Sequence, residues 1–202
     1  NRYPELSAVK KEISEAYQIL KNCYARSGKL LIAGNGGSAA DAEHIVGELM
    51  KSFMFERKIQ KKYADELVRL YGDEGVALSK KLEGTLCSIP LTSMPALSTA
   101  FINDVDPALT FAQMLYGYGR EGDCFLGIST SGNSKNILYA LQVAKAKGIT
   151  TIGLTGEGGG KMKELCDITI QVPEKETFMI QELHLPVYHA LCLMLEDHFY
   201  ES

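Results

Sequence analysis

No CxxC occurs anywhere in the 202 residues, and Cys23, Cys87, Cys124, Cys166 and Cys192 are scattered. Most sit in apolar patterns, so they read as reduced core thiols of a cytoplasmic protein and not as a disulfide framework. Basic charge is not in excess: the formal net charge is −4 at pH 7. That argues against nucleic-acid binding in general, which rests on a basic surface. No apolar run looks long enough to span a membrane, and the opening NRYPELS holds no apolar signal region. Domain linkers, low-complexity tracts and short tandem repeats are also missing. What remains is ordinary for a globular chain, 46% hydrophobic and 23% charged. Residues 1–202 read as one domain with length enough for a sizeable core.

The chain is organised around Leu126–Ser134, LGISTSGNS. An apolar run from Cys124 to Ile128 stops at small hydroxyl residues and one glycine. From Ser134 the spacing of Ile137, Leu138, Leu141 and Ala144 is that of an amphipathic helix. Strand, tight loop and helix follow one another, with Ser134 as the N-cap. A helix N-terminus offers free N–H groups and partial positive charge, which suits an anion. Ser129, Thr130, Ser131 and Ser134 would add hydroxyl donors at the same point. No lysine lies inside the loop, so the Walker A pattern is excluded. The plainer reading of these residues is a serine-rich turn with a cap.

Earlier in the chain, residues 5–27 place Leu6, Val9, Ile13, Tyr17, Leu20 and Tyr24 on one helical stripe, closed by Gly28. Residues 29–33 (KLLIA) read as a buried strand, and GNGGS follows at once. Its three glycines allow unusual dihedrals and close approach to a ligand. A helix then starts at Ser38 or Asp41 and runs to Met50. Residues 56–84 are rich in balanced charge and read as an amphipathic helix, a GDEG turn and a second helical piece. Their apolar stripe suits packing on another subunit or on the chain itself.

Leu86–Leu91 reads as a strand, with helices after Pro95 and over 107–119. Strands at 123–128, 149–154 and 167–172 then alternate with helices at 134–147, 160–165 and 178–200. The pattern specifies the α/β class: a three-layer αβα sandwich on a mostly parallel five-stranded sheet. In open α/β sheets ligands bind beyond the carboxyl ends of strands, so GNGGS and STSGNS are expected to flank one site.

His44 and Glu48 stand four apart on the helix after GNGGS, and so on one face. A partly buried glutamate there suits a general base; the bland alternative is an exposed polar pair. On the last helix, Gln181 and His189 face broadly the same way, two turns apart, with Pro186 between them. His44, Glu48, Gln181 and His189 together form a mixed N/O donor set compatible with Zn²⁺.

Taken together these residues resemble the sugar isomerase (SIS) fold and, within it, the phosphoheptose isomerase family. The matching pieces are GNGGSAADAEHIVGEL (34–49), IND (102–104), GREGDCFLGISTSGNS (119–134), TGEGGGKM (155–162) and IQELHLPVYH (180–189). The resemblance implies isomerisation of a sugar phosphate, sedoheptulose 7-phosphate being the expected substrate. It implies that Gly36, Gly37, Ser38, Ser129, Thr130, Ser131, Ser134 and Gln181 bind substrate, with the serines and Thr130 on the phosphate. Asn35 and Asp104 would contact sugar hydroxyls. Glu48 would be the general base and His189 the general acid. In zinc-containing members the ligands correspond to His44, Glu48, Gln181 and His189. A homotetramer with sites at subunit interfaces is implied as well. Three departures stand out: the length of the charged segment 56–84, Phe178 where members often carry Asp, and Pro186. A related SIS protein that regulates replication by binding the initiator keeps GNGGSAADA, so a non-catalytic regulator or sugar-phosphate sensor is the alternative.

Overall fold

The computed structural model describes residues 2–200, so the range 1–202 extends past the described residues at both ends. Five strands are found: β1 (Leu30–Ala33), β2 (Ser88–Pro90), β3 (Cys124–Ile128), β4 (Thr150–Thr155) and β5 (Ile168–Gln171). They form one sheet in the order β2-β1-β3-β4-β5, and every neighbouring pair is parallel. The near-continuous apolar runs follow from burial on both faces. Alternate residues divide between two cores. Leu30, Ile32, Leu126, Ile128, Ile152 and Ile170 face α1 (Lys10–Ala25), α2 (Gly37–Met50) and α8 (Thr177–Tyr200). Leu31, Ala33 and Phe125 face α5 (Thr110–Tyr118), α6 (Lys135–Ala146) and α7 (Met162–Leu165). This is the three-layer αβα sandwich that the sequence specifies.

The strand order positions the site. The chain steps from β1 outward to β2, then returns to the other side of β1 to lay down β3. Direction therefore reverses between β1 and β3, and the loops leaving their carboxyl ends diverge around a crevice. Those loops are GNGGS and STSGNS.

Several local expectations are corrected. The first turns of the N-terminal helix, Pro4–Val9, are 3-10, and α1 begins at Lys10. The left-handed residue that closes it is Ser27 (φ 61°), not Gly28. Gly28 is needed for space: a Cβ there would lie 2.8 Å from both Cys23 Sγ and Gly122 O. The stripe of α1 is spent within the chain, on the sheet and α8. Residues 56–84 yield α3 (Lys61–Lys81), broken at Gly72 (φ 55°, ψ −127°). Its second half folds back so closely that a Cβ on Gly75 would strike the Leu67 carbonyl. Only Gly75 of α3 is buried. The cysteines are all free, but Cys87 is exposed. Among the described residues one helix, α8, is by length and composition apolar enough to cross a membrane, contrary to expectation. In this fold its apolar side is core, with Leu183, Val187, Leu191 and Leu195 packed against the sheet and α1. It runs through Pro186 as one helix.

His184 on α8 is wholly buried. Burial lowers its pKa from 6.5 to about 4. The unfolded chain binds this proton first, so the associated stability is complete above pH 6.5 and is lost as pH falls toward 4. We expect the unfolding free energy of wild type relative to His184→Leu to fall over that window, by up to about 3 kcal/mol. Urea titrations at several pH values measure it, and a pH-independent difference contradicts it.

Candidate active site

The two loops meet at a cavity of about 270 Å³ lined by Asn35, Gly36, Gly37, Ser38, Ser129, Thr130, Ser134 and Gln181. Eight of the residues assigned from sequence thus converge. Close approach explains the glycines. A Cβ on Gly34 would lie within 2.8 Å of the Ser38 Cβ, and Gly36 has φ 55°. A Cβ on Gly37 would lie 2.7 Å from Gln181 Nε2, so its absence lets the α8 amide reach the loop. Asn35 and Asn136 exchange two side-chain amide bonds of 3.0 and 2.8 Å, which hold the loops to each other.

Ser134 stands at the N-cap of α6 but makes no capping bond. Its hydroxyl lies 2.9 Å from Ser129 Oγ at the cavity wall. Ser131 does not line the cavity; its Oγ accepts the Asn133 N–H at 3.2 Å on the exposed side of the loop. Asp104 is also outside it, exposed at the end of α4 (Pro95–Asp104) and accepting from Asn103 Nδ2. A third loop, Gly156–Gly160, braces the second from behind. Thr130 O accepts the Gly156 N–H, Gly132 O accepts the Met162 N–H, and Asn133 Oδ1 accepts the Lys161 N–H, all at 3.1 Å. Gly132 (φ 64°) packs so tightly on the Gly159 carbonyl that no side chain fits.

His44, Glu48 and His189 lie further along α2 and α8, which pack side by side. His44 Nε2 is 3.2 Å from Glu48 Oε1, and His44 Nδ1 is 3.0 Å from the Tyr188 hydroxyl. Tyr188 in turn donates to Asp41 Oδ1 at 3.3 Å. The rings of His44 and His189 meet edge to face, centroids 5.1 Å apart, and Phe53 lies 5.5 Å from His189. Glu48 Oε2 and His189 Nε2 are buried without a hydrogen-bond partner. Lys51 Nζ stands 3.7 Å from that Glu48 oxygen. Burial, reinforced by His44, pulls His189 below the usual imidazole value against the opposing pull of Glu48. Burial raises Asp41, against the hydroxyl of Tyr188 and the His44 ring. Sequence reading missed Tyr188 and Thr177, the latter a cavity-lining residue. Helical spacing could have found Tyr188, which shares a face of α8 with Gln181 and His184.

Small hydroxyl loops at the reversal of a parallel sheet, with histidine and glutamate side chains clustered on the flanking helices, define a SIS domain. Two family models described as SIS domain match the chain, over residues 5–85 and 96–195. The chain belongs to the phosphoheptose isomerase family of SIS-domain proteins. It is 42% identical over 179 residues to a phosphoheptose isomerase of Aneurinibacillus thermoaerophilus, covering 89% of this chain and 77% of that one. A solved phosphoheptose isomerase from Neisseria gonorrhoeae superposes with TM-score 0.78 at 29% identity, covering 97% of this chain and 91% of its own. Another, from Francisella tularensis, gives 0.77 at 28%, covering 97% and 90%.

Among the described residues, no three His, Cys, Asp or Glu side chains are gathered as a metal-binding group. The donor chemistry nevertheless fits Zn²⁺. Neither His189 Nε2 nor Glu48 Oε2 has a hydrogen-bond partner, and the His44 ring lies against both side chains.

Gly132 tests the loop assignment. Gly132→Ala should cost on the order of 1–3 kcal/mol through backbone strain and displace Thr130. We expect a lower Tm and at least a roughly tenfold weaker affinity for a sugar phosphate by calorimetry. Unchanged affinity removes this loop from the site.

Proposed function

We propose that the protein isomerises a seven-carbon ketose phosphate, sedoheptulose 7-phosphate, to the aldose glycero-manno-heptose 7-phosphate. The observation that supports the reading is that His44 touches both Glu48 on α2 and His189 on α8, the two helices whose first turns also line the hydroxyl-rich cavity. Ser38, Ser129, Thr130 and Ser134 would hold the phosphate, with Ser131 at the outer edge of the same loop. Asn35, Gly36, Gly37 and Gln181 would bind the sugar chain, and Asp104 would reach sugar hydroxyls from α4. Glu48 would take a proton from C1 beside the carbonyl and return it to C2, through an enediol. Glu48 Oε2, which accepts no hydrogen bond and has Lys51 Nζ 3.7 Å away, would be the oxygen that makes that transfer. His189, whose Nε2 makes no hydrogen bond, would move protons at the carbonyl and hydroxyl oxygens.

One Zn²⁺ per site, if bound, would be held by His44, Glu48, Gln181 and His189 and would polarise the sugar oxygens. We read the assembly as a homotetramer with sites at subunit interfaces and the chain as a single domain. The support is unspent apolar surface: Tyr63, Leu70 and Tyr71 of α3 are more than half exposed, and α4 buries no residue. Free cysteines accord with a cytoplasmic protein.

The test is incubation with sedoheptulose 7-phosphate, with and without Zn²⁺, followed by detection of the aldose. Glu48→Gln keeps shape but cannot take the proton and should abolish turnover with phosphate binding near normal. His189→Ala should lower turnover by roughly 10²–10⁴-fold. Titrating Zn²⁺ against each variant separates a lost ligand from a lost acid or base. Wild-type turnover in Glu48→Gln at saturating metal refutes the proposal.

A further inference from the structure

Glu48 lies in the last turn of α2, where backbone carbonyls have no partner inside the helix. In this chain they are met by a buried guanidinium. Arg57 Nη2 donates to Glu48 O at 2.9 Å and Nη1 to Leu49 O at 2.8 Å. Its Nε donates to Glu196 Oε1 at 2.7 Å, and both side chains are fully shielded from solvent. Glu196 also accepts the Phe53 and Met54 N–H groups, each at 2.7 Å, and so fixes the turn that follows α2. On α8, Glu196 is two turns beyond His189 and on the same face.

A single buried pair thus joins the carbonyl end of the helix bearing Glu48 to the helix bearing His189. Such pairs rarely repay their desolvation with stability, since apolar replacements often do as well. What this one supplies is direction: the guanidinium fork is rigid and fixes three acceptors at once. We propose that Arg57 and Glu196 are positioning residues for the isomerisation, locking the last turn of α2 onto α8 so that Glu48 and His189 hold their mutual geometry. This rests on the isomerase reading of the site. The phosphate cavity, at the opposite end of α2, is outside the clamp.

Arg57→Lys keeps the charge but cannot span three acceptors, and Glu196→Gln keeps the shape without the charge. For folded variants we expect kcat to fall about 10²-fold, the scale of a small misplacement of reacting groups. KM and the affinity for sedoheptulose 7-phosphate should stay within about threefold. Hydrogen exchange should rise at the amides of residues 47–50 while β1 stays protected. The clamp is refuted by a folded variant with wild-type kcat and unchanged exchange. It is also refuted by parallel loss of phosphate binding, or by failure of both variants to fold, since either result makes the pair a general scaffold. Inactive wild type with loosened 47–50 amides in the variants would instead overturn the isomerase reading and leave the clamp standing.

Discussion

The contact between α2 and α8 is the constraint on which the rest of the site depends. Both helices lie on one face of the sheet, and they touch at three levels. At the first, Gly37 gives room to Gln181. In the middle, Tyr188 bonds His44, and His44 meets His189 edge to face. At the far level, Arg57 and Glu196 tie the end of α2 to α8. Each level is made of different chemistry, and all three must register together. A slide of one helix turn, about 5.4 Å, would separate every pair.

The loops depend on that frame and add a second constraint, close backbone packing. The β1 loop sits on the start of α2, and the β3 loop is held from behind by the Gly156–Gly160 loop. The glycines there are requirements of contact, most sharply at Gly132, where backbone meets backbone. The result is a cavity whose walls are fixed by main chain and whose surface is hydroxyl and amide. Such a surface offers hydrogen-bond donors to an oxyanion without a lysine.

Much of this was legible in the sequence, for physical reasons. Buried strands such as Leu30–Ala33 and Cys124–Ile128 are continuous apolar runs, and glycine-rich or hydroxyl-rich loops end them, so the layers and the site-facing loops could be read directly. The four-residue spacing of His44 and Glu48 needed only helical geometry. What could not be read depends on which elements touch. Arg57 is one charge among many in the segment 56–84, yet it is buried on Glu196. Ser134 has the identity of a cap, but its hydroxyl turns to Ser129. Ser27 takes the left-handed conformation that Gly28 was expected to supply, while Gly28 is required for space against Cys23 and Gly122. The apolar content of α8 equals that of a membrane span, and only its packing shows that its apolar side is core.

The central claim is proton transfer by Glu48 through an enediol, and solvent exchange measures it most directly. Sedoheptulose 7-phosphate incubated with the wild-type protein in D₂O, followed by proton and carbon NMR, should gain deuterium at C2 of the aldose and, with longer incubation, at C1 of the remaining ketose. Recovery of the ketose with no deuterium at C1 and no aldose formed, in a protein that binds the phosphate, would contradict the account.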